Sequence, residues 1–157
     1  MTEGFWDWAV AAYGRDGVAE ACLELQDRHG QNVPLLLWAA WAGMRSKRVN
    51  SETAAEAAFV ARAWSEAAIV PLRTLRRRLK TAVTEGDDRP RLALREQVKA
   101  VELDAERVLM AQLETLAVVE AGAEAAVMGN LLTAAAAWSS QLPQDDLRRL
   151  SEALTKG

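Results

Sequence analysis

Asn32-Val33-Pro34-Leu35-Leu36-Leu37-Trp38-Ala39-Ala40-Trp41-Ala42-Gly43-Met44 carries no charge, and past Asn32 it offers no polar side chain on any side of a helical wheel. Such a stretch is too long for an ordinary buried strand, and it falls well short of the ~20 residues that cross a bilayer. It reads as a buried core helix. Asn32 is a good N-cap, Pro34 is tolerated in the first turn, and Arg45, Lys47 and Arg48 close the end where the helix dipole favours cations. The rest of the chain is expected to pack around this element.

Upstream, a helix over about Glu3 to Tyr13 places Trp6, Val10 and Tyr13 at helical spacing and stops at Gly14. A second, over about Gly17 to Arg28 with Asp16 as its cap, puts Val18, Ala21, Cys22 and Leu25 on one stripe and ends at His29-Gly30. Downstream, Ser51 opens a long pattern through Ala54, Ala58, Ala61, Ala68, Leu72, Leu75 and Leu79, with a kink or break expected near Val70 because of Pro71. Glu85 to Pro90 is a loop. A second arm then runs through Leu94, Val98, Val101, Ala105, Val108/Leu109, Leu113, Leu116 and Val119, so the two arms read as an antiparallel αα-hairpin. Gly122 marks a bend before an Ala-rich helix reaching Trp138, and Pro143 starts a last helix with Leu147, Leu150 and Leu154.

The expected fold is therefore all-α: a single-domain helical bundle of about six helices containing a long hairpin. Its parts are a three-helix unit over 1–48, the hairpin over 51–121 and the C-terminal helices over 123–157. The 157 residues include 31 Ala against 9 Gly and 4 Pro, which suits helices and argues against a turn-rich β fold.

Catalytic parts are scarce. One His and one Cys leave no material for a disulfide framework, a zinc site or a nucleophile–base pair, and no glycine-rich phosphate loop is present. The expectation is a non-enzymatic protein with no catalytic residue, no metal and no cofactor. A net charge of −3 gives no global attraction to nucleic acid or anionic membranes, so nucleic acid is disfavoured as a partner and membrane insertion is not expected. The acidic N-terminus and the unpaired Cys22 point to the cytoplasm.

Four groups of residues are candidates for contact. Trp6 and Trp8, two apart on a helix, point about 200° from each other, so one of them is expected at a surface or interface. Trp38 and Trp41 share one face, as a core stack or as the lining of a small-molecule or peptide groove; Tyr13 joins this aromatic set. Asp27 and His29 form a polar cluster at a helix end, where His is also favourable beside the dipole. The basic run Arg73, Arg76, Arg77, Arg78 and Lys80 dominates 62–99, where ten basic residues face five acidic ones, while 100–127 carries a net of −5. Folding the hairpin pairs the basic arm with Glu102, Asp104 and Glu106, and ion pairing is the favoured reading over nucleic-acid or acidic-partner binding.

Phe5-Trp6-Asp7-Trp8-Ala9, Tyr13, Gly17-Val18-Ala19-Glu20-Ala21-Cys22-Leu23, Leu25-Gln26-Asp27-Arg28-His29-Gly30 and Leu35-Leu36-Leu37-Trp38 with Trp41-Ala42-Gly43 resemble a small family of uncharacterised proteobacterial cytoplasmic proteins, a domain of unknown function, over about residues 4–45. The resemblance implies a shared N-terminal helical unit and supplies no catalytic residue. The leading expectation is a protein–protein interaction or regulatory module whose partner is another protein or a second copy, as a homodimer. The alternatives are a small apolar-ligand carrier with a Trp-lined pocket and a nucleic-acid-associated protein using the Arg-rich helix.

Overall fold

The structure, a computed structural model, describes residues 4–116, 118, 120–121 and 126–156. Its helices are α1 (Phe5–Tyr13), α2 (Val18–Asp27), α3 (Val33–Met44), α4 (Ser51–Trp64), α5 (Val70–Arg78), α6 (Asp88–Glu114), α7 (Ala126–Trp138) and α8 (Gln144–Thr155). A π turn over Ser65–Ile69 joins α4 to α5 with helical dihedrals on both sides, so seven helical rods are described, against the six expected. The expected start at Glu3, the bend at Gly122 and the stripe position Val119 lie outside the described residues.

α3 is the centre of the bundle. Every residue from Pro34 to Gly43 is buried, and Asn32 caps the helix by accepting the Leu35 N–H at 2.9 Å. One side meets α7 so closely that a Cβ on Gly43 would sit 2.8 Å from the Val127 backbone. The other faces α1 and α6, where Phe5 stacks on Trp41 with centroids 5.3 Å apart and the Arg45 guanidinium covers the same indole at 3.9 Å. α2 and α8 close one end through Val18, Ala21, Cys22 and Leu25 against Leu147, Leu150 and Leu154. Arg15 Nη1 fastens the α1–α2 turn to the Leu154 carbonyl at 2.8 Å.

One local expectation is corrected. Asp16 does not cap α2: Gly17 holds that position at φ +85°, a conformation easy for glycine, with no side-chain cap. The kink or break expected near Val70 takes the form of a π turn, and the helix continues through Pro71. Proline has no N–H for the Ala67 carbonyl and its ring crowds it, so the rod takes up an additional residue and the Val70 N–H reaches back to the Ser65 carbonyl. The Ser65 hydroxyl accepts Asn32 Nδ2 at 3.0 Å, which anchors this turn to the start of α3.

α5 folds back on α6, so the hairpin forms, but its seam differs from the stripe read off the sequence. On α6 the buried set is Val98, Glu102, Ala105, Leu109, Met110 and Leu113, while Val101 and Val108 are about half exposed. On α5 Leu75 turns outward and Arg73 and Arg76 turn inward, because the π turn under-winds the rod ahead of them. A two-residue antiparallel bridge, β1 (Lys47–Arg48) with β2 (Glu120–Ala121), joins the end of α3 to the segment after α6.

Candidate functional site

α1 has two apolar faces, and the structure uses the one with smaller side chains inside. Phe5, Ala9 and Ala12 are buried, whereas Trp6 is half-buried and Val10 and Tyr13 are exposed by 56% and 40%. The stripe Trp6–Val10–Tyr13 therefore forms one wall of a groove of about 830 Å³. α6 supplies the facing wall through Leu103, Glu106 and Met110, with Lys99 toward its N-terminal end. Leu23 of α2 and Val33, Pro34 and Leu37 at the start of α3 continue the apolar lining, and Arg73 and Arg76 enter from α5. From Glu96 to Met110 the groove follows 15 residues of α6, whose ends are about 21 Å apart at a rise of 1.5 Å per residue.

The charges in this groove are unevenly matched. Glu102, 6% exposed, takes both arginines: Arg73 Nε lies 3.3 Å from Oε2, and Arg76 engages both carboxylate oxygens through Nε and Nη2. Hydrogen bonding to Glu102 raises the Arg76 guanidinium above its ordinary pKa. Glu106 keeps only the longer contact, 3.5 Å to Arg73 Nη2. Burial pushes its carboxyl up, and the attraction of Arg73 only partly opposes that. Burial also raises the Tyr13 phenol, reinforced by surrounding negative groups. Lys99 has no carboxylate within salt-bridge distance among the described residues, and Glu96 leans on Arg95 at 3.8 Å.

The other candidates fall elsewhere. Trp38, 1% exposed, and Trp41, 6% exposed, are core residues, the first of the two readings given for them, and they do not line the groove. Trp6 and Trp8 are both half-buried against the core, and Arg107 covers Trp6 at 4.9 Å, so neither is a freely exposed anchor. Asp27 pairs with Arg77 at 3.0 Å on the surface. His29 Nε2 lies 2.6 Å from Asp146 Oδ2, and beside it Trp138 Nε1 donates to the Gly30 carbonyl at 2.7 Å; together they tie the α2–α3 turn to α7 and α8. Arg78 and Lys80 are exposed without an ion-pair partner among the described residues. Asp104 is exposed on another side of α6 and takes no part in the pairing expected of it.

Sequence reading passed over Leu23, Lys99, Leu103 and Met110. The signal that could have found them is reciprocal spacing: Arg73 and Arg76 at i, i+3 opposite Glu102 and Glu106 at i, i+4 define one helix–helix seam, and the groove opens beside it. Among the described residues no helix is long and apolar enough to cross a membrane, and no group of three or more His, Cys, Asp or Glu is placed to hold a metal.

No curated protein and no solved structure matches the chain. A family match spans residues 4–113, from the start of α1 to the end of α6, and includes every residue that lines the groove. The chain belongs to the family described as "Protein of unknown function (DUF2390)".

Proposed function

We propose that this protein is a non-catalytic binding module that takes up an elongated apolar ligand in the groove between α1 and α6. One observation carries the reading: α1 spends its bulkier face, Trp6, Val10 and Tyr13, on the groove and its smaller one on the core. Exposed aromatic and aliphatic side chains facing Leu103 and Met110 gain the hydrophobic free energy of burial only when something apolar lies between them. The volume of about 830 Å³ falls within the usual range of small-molecule sites. A second reading, an amphipathic helix of a protein partner seated in the same groove, is favoured by its length along α6.

Uptake of the neutral dye Nile red by the intact chain tests the first reading. Val10 and Leu103 are about half exposed, so Val10→Glu and Leu103→Glu should leave the helical circular dichroism unchanged. Each should weaken dye binding about tenfold or more by placing a charge against the apolar ring system of the dye. Dye binding that is absent, or indifferent to both substitutions, would remove the groove from consideration.

A further inference from the structure

The groove is polar at one end and apolar at the other. Trp6 lies at the Arg107–Met110 end of α6, while Lys99 sits two to three turns nearer its N-terminus and Arg76 reaches in from α5 to Glu102, between the two. At that end the donors outnumber the acceptors. Among the described residues, Arg73 Nη1 and Arg76 Nη1 have no acceptor and Lys99 has no carboxylate partner. On the acidic side Glu102 is buried and committed to both guanidiniums, Glu96 leans on Arg95, and Glu106 makes one long contact.

We propose that the occupant is an anionic amphiphile, a long-chain carboxylate, with its head at Arg73, Arg76 and Lys99 and its alkyl chain running along Val10 and Leu103 toward Trp6 and Met110. The proposal rests on the groove being a ligand site, and it adds the chemistry of the ligand. The lining carries three cations, Arg73, Arg76 and Lys99, and three carboxylates, of which Glu96 is turned to Arg95 at 3.8 Å and Glu102 is buried in its arginine pairs, so Lys99 and the two Nη1 atoms are the donors left for a negative head. Arg73 and Arg76 have given their Nε and Nη2 atoms to Glu102 and Glu106, and each keeps the N–H donors of Nη1 for the charge-assisted bonds that a carboxylate accepts. Glu106 occupies the place a ligand carboxylate would contest, and burial already disfavours its charged form. An ammonium head would instead meet two guanidiniums and Lys99, and a purely neutral ligand would leave those donors unused when it excludes water from them.

The experiment titrates the full-length wild-type chain with three twelve-carbon amphiphiles below their micelle concentrations, followed by tryptophan emission and calorimetry: dodecanoate, dodecyltrimethylammonium and the neutral dodecyl maltoside. Dodecanoate should bind about tenfold or more tighter than either of the others. Lys99 is exposed and has no ion-pair partner among the described residues, so Lys99→Glu should keep the fold while lowering dodecanoate affinity about tenfold and leaving dodecyl maltoside unchanged. Equal binding of all three, or dodecanoate affinity that ignores Lys99→Glu, would overturn the head-group assignment and leave the apolar groove standing. Failure of all three to bind would overturn both. In that case, binding of a synthetic amphipathic helical peptide would assign the groove to a protein partner, and self-association lost in Leu103→Glu would assign it to a second copy.

Discussion

Asn130 on α7 accepts the Val49 backbone N–H at 2.9 Å, across 81 positions of sequence, and its Nδ2 donates to the carbonyls of Ala39 at 3.1 Å and Lys47 at 2.9 Å. The side chain is 1% exposed and all its hydrogen-bonding capacity but one acceptor lone pair is used. It thereby fixes the middle of α3, the strand β1 and the approach to α4 to a helix beyond the family-matched segment. Asn130→Leu keeps similar bulk, leaves the Val49 N–H without its acceptor and removes a donor from the Lys47 carbonyl and the second donor from the Ala39 carbonyl. Chemical denaturation should show a loss of roughly 3 kcal/mol, the size expected when buried backbone groups lose their partners.

Gly43→Ala sets two effects against each other. Alanine favours an α-helix by about 1 kcal/mol over glycine. The new Cβ, however, meets the Val127 Cα and N at 2.8 Å, and those are backbone atoms of α7 that cannot rotate away. Overpacking costs about 1–3 kcal/mol, so the net change should be destabilising and should lower the thermal midpoint by several degrees. A midpoint equal to or above that of the wild type would show that α7 can move off α3.

Glu106 gives the groove a pH signature. Its carboxyl pKa is higher in the folded chain than in the unfolded one, chiefly through burial. The unfolded chain therefore ionises first as pH rises, and this residue's contribution to stability falls from the unfolded pKa upward until the folded one is passed. Glu106→Gln removes that penalty. The stability of the variant relative to the wild type should rise between pH 4 and pH 7, measured by denaturant titration at both; a difference that falls over that range would reverse the sign of the burial effect.

Cys22 should be chemically silent. It is 1% exposed between α2 and its neighbours, and burial pushes its thiol up to about 12, so almost no thiolate exists at pH 8. Ellman's reagent should react with the native chain only at the rate of unfolding and should titrate one thiol at once in guanidinium chloride. Rapid labelling of the native chain would mean that the α2–α8 end opens readily.

Much of the fold was legible wherever one face is apolar and the other is not. The α3 core helix, the Asn32 cap, the Val18–Leu25 stripe, the leucines of α8 and the opposition of basic and acidic arms follow from spacing alone. α1 was ambiguous because Phe5, Ala9 and Ala12 repeat with the same period as Trp6, Val10 and Tyr13. Only the depth available against α3 decides that small residues go inside. The pairing of Glu102 was legible but its burial was not, for a different reason: a carboxylate enters a core stripe when two guanidiniums meet it there, and those arrive from another helix. The groove itself belongs to five helices at once, so no local window of sequence contains it.

The additional residue in the π turn sets the rotational phase of everything after it. A regular α-helix from Ala54 and Ala61 onward would carry Ala68, Leu72, Leu75 and Leu79 to the same side, which is the leucine seam that simple periodicity suggests. With the turn present, Leu72 and Leu79 still pack inward, but Leu75 is 44% exposed and Arg73 and Arg76 take the inner side beside them. Deleting one residue between Ser65 and Ile69 would turn the following helix by roughly 100° and exchange a cationic groove edge for an aliphatic one. The polarity of the groove is thus written in the winding of the rod that borders it as much as in the side chains that line it.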